Sequence, residues 1–177
     1  MELDVLGIVS ERLSAQGLAF MLTGSFALAH YATPRMTRDI DLVVEIAERD
    51  VDTLVRAFAR DFYVDGDAAR TAIRSETLFN LMHLESGIKV DLIVRKDSEY
   101  RAVEFARRRV VDFAGVRTSI VAAEDLILSK LIWARETNSD LQRRDVLQLL
   151  ASPVDLEYVR HWAVRIGVSD LLESLLP

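Results

Sequence analysis

Asp39, Asp41 and Asp91 are the residues in this chain whose type and placement most need a chemical explanation. The segment Asp39-Ile40-Asp41-Leu42-Val43-Val44 has the composition of a strand, yet aspartate is depleted in strands. Side chains alternate along a strand, so Asp39 and Asp41 share one face while Ile40, Leu42 and Val44 take the other. Two carboxylates at that spacing, about 7 Å apart at Cα, repel by roughly 2–3 kcal/mol at an effective dielectric near 20. A divalent cation between them turns the penalty into attraction, and magnesium favours one or two carboxylates together with phosphate oxygens and water. Asp91 repeats the pattern within Ile88-Lys89-Val90-Asp91-Leu92-Ile93-Val94. If that strand lies beside 39–45, all three acids face one cleft and a metal-assisted phosphoryl transfer has a site.

The competing reading is structural. An Asp-x-Asp can end a strand, and Lys89 or Arg95 could partner Asp91 in an ordinary ion pair. Thr23-Gly24-Ser25 favours the site. It stands between a short apolar run, 18–22, and a helix start, where backbone amides point outward and attract an anion. Glycine lets a phosphate approach the backbone, and the serine hydroxyl can donate to it.

The surrounding elements must hold these residues. Apolar spacing predicts a helix over 3–16, a strand over 18–22, a short helix over 26–31 and a strand over 39–45. A helix over 48–60 follows, then a short strand at 62–64 and a loop around Gly66. Residues 77–85 and 88–95 form two strands joined at Ser86-Gly87. A helix over about 98–108 and strands near 110–113 and 116–121 complete the mixed part. From Ala123 onward the pattern is helical, over roughly 123–135, 139–151, 155–165 and 169–175. The expectation is an α+β core over 1–121 and a helical subdomain over 122–177.

The ordered set Thr23-Gly24-Ser25, Arg35-x-Thr37-x-Asp39-Ile40-Asp41-Leu42 and Val90-Asp91-Leu92 resembles the signature of the nucleotidyltransferase superfamily with the DNA polymerase beta-like fold. The Arg-x-Thr lead-in, with Lys130-Leu131 and Arg144-Asp145-Val146-Leu147 downstream, is most similar to the abortive-infection nucleotidyltransferase toxins and their relatives. The resemblance spans roughly 18–150 and implies a mixed sheet flanked by helices. It also implies magnesium held by Asp39, Asp41 and Asp91, with Asp91 the general base or an additional ligand. Gly24, Ser25, Arg35, Thr37 and Lys130 would grip a nucleoside triphosphate. Lys130 could equally be a solvated helix lysine, and Asp145 would orient Lys130 or a nearby arginine. Arg143-Arg144-Asp145 departs from the Lys-Asp pair common there. Arg38 and Arg35 flank the carboxylates and could meet phosphate or balance the acids.

The expected reaction moves a nucleoside monophosphate to an acceptor hydroxyl on an RNA 3′ end, a protein or a small molecule, in a toxin–antitoxin or phage-defence setting. The rival is a partner protein of a toxin–antitoxin pair that acts by contact, with a cognate toxin or antitoxin as its target and little chemistry of its own.

Composition bounds these readings. The 177 residues suit one domain or a core with a small appendage, and half of them are hydrophobic, enough for a sizeable core. With no cysteine, a disulfide framework and a thiolate metal site are both excluded. The N-terminus lacks the basic end and continuous apolar run of a secretory signal, and no stretch has the length of a membrane span, so a cytoplasmic protein is expected. Twenty-two basic against 28 acidic residues give a net charge of −6, which does not favour non-specific nucleic-acid binding. His30, His83 and His161 have no metal-ligand spacing. There is no P-loop and no nucleophile elbow. Trp133 and Trp162 fall on apolar helical stripes and are expected in the core, and the run Arg107-Arg108-Arg109 is expected on a solvated helix face.

Overall fold

A computed structural model describes residues 1–35, 37 and 39–176. Within them the chain forms helix α1 (Glu2–Ala15), strand β1 (Phe20–Leu22), α2 (Gly24–Tyr31) and β2 (Ile40–Val44). After a 3-10 turn at Glu48–Asp50 come α3 (Val51–Phe58), β3 (Phe62–Val64) and α4 (Gly66–Ser75). The hairpin strands β4 (Leu78–His83) and β5 (Lys89–Val94) follow, then α5 (Glu99–Ala106), β6 (Arg109–Phe113) and β7 (Val116–Ile120). Four helices close the chain: α6 (Ala123–Thr137), α7 (Asp140–Leu150), α8 (Leu156–Arg165) and α9 (Ser169–Leu175).

One seven-stranded mixed sheet, ordered β3-β4-β5-β2-β1-β7-β6, carries the candidate site. The strands that carry Asp41 and Asp91, β2 and β5, are parallel neighbours at its centre, in a register that sets Asp41 directly opposite Asp91. Strand β1 runs antiparallel to β2 on the other side, so the turn after Leu22 arrives beside the start of β2. The alternation expected of β2 holds: Ile40, Leu42 and Val44 are buried and Asp41 and Val43 face the cleft side. The fold is therefore α+β, with a mixed sheet flanked by helices.

Two local expectations are corrected. The stretch after Gly66 is a helix, α4, started by Asp65, whose carboxylate accepts from the amides of Asp67 and Ala68. It buries only small side chains, Ala69 and Ala72, so its apolar period is faint in the sequence. Arg107 does not sit on a solvated face. It follows the end of α5 and donates to Asp125 at 2.8 Å and Glu124 at 3.0 Å, with its guanidinium 3.9 Å from the Tyr158 ring centre. Among the described residues no helix is long and apolar enough to cross a membrane.

Candidate active site

The turn between β1 and α2 is shaped around a carboxylate. Gly24 has φ +64, in the region that favours glycine, and a Cβ built there would lie 2.8 Å from Asp41 Cγ. No other residue fits without moving the acid. The Thr23 amide donates to the Asp41 carbonyl at 2.9 Å, which ties the turn to β2. Sequence spacing and sheet topology thus meet at one point, with the amide end of α2 against the first acidic strand.

Asp41 is flanked by Asp91 across the strand pair and by Asp39, which stands one residue before β2 and is largely exposed. Burial, then Asp91, then Asp39, raise the Asp41 carboxyl to about 6. Asp91 is itself buried and accepts a hydrogen bond from the Asn80 side chain, its opposite number on β4. The Lys89 ammonium lies 3.1 Å from Asp91 and 3.7 Å from Asp39, and its bond to Asp91 raises its own pKa. Lys89 is thus the basic partner that the structural reading of Asp91 anticipated, but the pair lies beside Asp41 and not on a remote surface.

Lys130 is no solvated helix lysine. It is 3% exposed, and its ammonium donates to Asp145 at 2.6 Å and to Gln142 at 3.1 Å. Burial pulls its pKa down, against the opposing pull of Asp145. Asp145 also accepts from Arg35 at 3.3 Å, so one carboxylate orients two cations, as expected of it from the sequence.

Two clefts meet at α2. The first, about 250 Å³, is lined by Gly24, Asp41 and Lys130 together with Val43, Ile93 and Trp133 on α6. The second, about 490 Å³, is lined by Ser25, Arg35 and Thr37 with Phe26 and Phe113. The predicted phosphate-gripping residues are therefore divided between the two clefts, with Asp145 bonded to both Lys130 and Arg35. Arg38 lies outside the described residues. Trp162 is buried as expected, but Trp133 is not core: it is 50% exposed on the wall of the first cleft. An apolar stripe marks a helix face without saying whether a neighbour covers it, and here the next layer is the cleft.

Sequence reasoning missed three further residues. Asn80, a polar residue at an outward position of β4, had the same strand-depletion signal as the aspartates. Glu104 and Ser129 had none. Buried Glu104 accepts from Ser129 at 2.6 Å and from Arg101 at 2.7 Å, which ties α5 to the cleft wall.

A divalent metal ion is the group this fold implies. Among the described residues, no three acidic or histidine side chains are gathered closely enough to hold an ion as they stand. The donor chemistry fits nonetheless: two cross-strand carboxylates suffice with phosphate and water, and the Lys89 ammonium already stands in as a cation between Asp39 and Asp91.

Residues 9–164 match the family described as nucleotidyl transferase AbiEii toxin, Type IV TA system. That is most of the chain, and the protein belongs to this family of nucleotidyltransferases. Solved structures share the fold. The antibiotic-resistance factor ANT(2'')-Ia is 14% identical with a TM-score of 0.63, over 97% of this chain and 91% of that one. An antigenic nucleotidyltransferase-like protein from Paracoccidioides brasiliensis is 17% identical with a TM-score of 0.57, over 98% and 91%. The lincosamide antibiotic adenylyltransferase LnuA is 10% identical with a TM-score of 0.54, over 81% and 93%. No curated protein matches the chain in sequence. The polymerase beta-like nucleotidyltransferase fold expected from the motifs is the fold of this protein.

Proposed function

We propose that the protein transfers a nucleoside monophosphate from a nucleoside triphosphate to an acceptor hydroxyl, as a magnesium-dependent cytoplasmic enzyme of a toxin–antitoxin or phage-defence system. The single observation that carries this is the cross-strand pair Asp41–Asp91 set against Gly24, with the Asp41 carboxyl raised to about 6. The family match supports the setting. Asp39, Asp41 and Asp91 would hold the ion, which when bound neutralises charge on the phosphate and on the attacking oxygen.

The chain's own residues supply the rest. The amide end of α2 at Gly24 and the Ser25 hydroxyl bind phosphate oxygens. Lys130, steadied by Asp145, and Arg35 with Thr37 on the other side of the turn balance triphosphate charge. The acceptor oxygen forms a bond to the α-phosphorus, the bond from that phosphorus to the β-phosphate oxygen breaks, and pyrophosphate leaves. Asp91 takes the acceptor proton, while Asn80 fixes its orientation. The acceptor is an RNA 3′ end, a protein or a small molecule, and it reaches Asp91 from the exposed side of β4. The sheet core over 1–121 supplies the acids, and the helical subdomain over 122–177 supplies Lys130 and Asp145.

The test is incubation with each α-labelled nucleoside triphosphate and magnesium against total RNA, cell lysate and small-molecule acceptors. Label in one class, absent with the Asp41→Ala/Asp91→Ala double variant, is the expected result. No incorporation with any nucleotide or acceptor, or equal labelling by the double variant, would refute the proposal.

A further inference from the structure

The first cleft has a chemical gradient that the phosphate chemistry leaves unused. It is lined by Gly24, Asp41 and Lys130 and, besides the paired Arg101 and Glu104, by apolar groups, with Val43 and Ile93 from the sheet and Ile132 and Trp133 from α6. Lys130 and Trp133 are three residues apart, so they share a helix face, one above the other. Along the axis the separation is about 4.5 Å, close to one turn. Glu136, Thr137 and Lys96 also line the cleft and are exposed, which makes them polar rim groups.

The two tryptophans of the chain have opposite surroundings. Trp162 is buried, packs 5.2 Å from the Tyr100 ring and lies under the Arg165 guanidinium at 4.9 Å. Trp133 is half exposed on a helix whose adjoining residues Leu131 and Ala134 are fully buried. The helix that presents it is braced by Ser129, through Glu104 and Arg101 on α5, and by Lys130, through Asp145 and Gln142 on α7. A rigid helix thus holds an aromatic face toward a slot that begins at a phosphate-binding end.

We propose that Trp133 is the stacking platform for the nucleobase, and that the nucleotide lies along α6 with its phosphates at Gly24 and Lys130 and its base against the indole. The inference rests on the nucleotidyltransferase reading of the same cleft and extends it to a residue that the reaction itself does not require. Stacking on an aromatic face tolerates every base, because each has a π-face. The platform therefore gives the site affinity for a nucleoside beyond its affinity for phosphate alone, and leaves discrimination between bases to the rim.

Calorimetry separates the two halves of the ligand. Wild type, Trp133→Phe and Trp133→Ala are each titrated in magnesium buffer with the four nucleoside triphosphates and, separately, with inorganic tripolyphosphate. The expected result is a fall of about ten- to a hundredfold in nucleotide affinity for Trp133→Ala. Trp133→Phe keeps affinity within about threefold, since a ring remains. Tripolyphosphate binds all three proteins alike, which also shows that the cleft is intact. Undiminished nucleotide affinity in Trp133→Ala, or an equal loss for tripolyphosphate, overturns the platform while the enzyme reading stands. If wild type binds none of the four nucleotides, the enzyme reading falls and the platform with it.

Discussion

Acids are buried in two regions of this protein, and they are treated in opposite ways. In the helical layers each has a dedicated cation: Glu104 has Arg101 at 2.7 Å, Asp125 has Arg107 at 2.8 Å, and Asp145 has Lys130 at 2.6 Å with Arg35 behind it. Tyr158 adds a 2.6 Å hydrogen bond to Asp125. On the sheet, buried Asp91 and the more exposed Asp39 share Lys89, while Asp41 has no ion pair among the described residues, and burial with its two acidic neighbours raises its pKa. Among the described residues, this cluster is less closely matched by positive charge than the three buried acids elsewhere. On the proposed function, the matched acids serve the structure and the less matched cluster on the sheet is where a cationic ligand would complete the balance.

The largest way to sharpen that contrast is to remove acids from each region. Asp41→Ala should lower nucleotide transfer by at least about 10²–10³-fold, the scale of losing a preorganised charge at a reacting phosphate. The fold should survive, as judged by circular dichroism. Asp145→Ala should instead destabilise the protein by about 3–5 kcal/mol in urea titrations, because it leaves Lys130 buried and unpaired. If the two variants exchanged phenotypes, the division between regions would be wrong.

The pH dependence of stability follows from the sign of the Asp41 shift. Its folded pKa, about 6, lies above the ordinary aspartate value, so folding favours the protonated acid. That contribution is fully present below about pH 4 and is lost as pH rises through 6, for a total of about 3 kcal/mol. Asp41→Asn should therefore gain on wild type in denaturant melts between pH 4 and 7, and the gain should be flat above that. A difference independent of pH would contradict the assignment.

Smaller effects test the turn and the lysine. Gly24→Ala places a methyl group against the Asp41 carboxylate and forces alanine into the left-handed region, at about 1–2 kcal/mol for the backbone alone. Activity should fall more than stability does. Lys89→Gln should change stability by less than about 1 kcal/mol, as for other partly exposed pairs.

Much of this was legible from residue types. Asp41 and Asp91 stood out as acids in strands where acids are rare, and Gly24 as the turn before a helix, while their register came only with the sheet. Periodicity gave the strand order no direct trace, so the pairing of β2 with β5 had to be assumed. Helix α4 stayed hidden because its core face is two alanines and a partly buried isoleucine, Ile73. Trp133 was misplaced because period identifies a face and not its neighbour, and Glu104 with Ser129 was invisible because the partners are 25 residues apart on different helices. The division of Gly24 from Ser25 between two clefts is likewise a matter of how α2 is seated, which no spacing encodes.

The most direct measurement is a magnesium titration by calorimetry, in the presence of a non-hydrolysable nucleoside triphosphate analogue, on wild type and on Asp41→Asn/Asp91→Asn. Saturable metal uptake by wild type that disappears in the double variant is the predicted result. Uptake of equal strength in both proteins, or none in wild type, would mean that the unmatched acids on the sheet do not hold a cation.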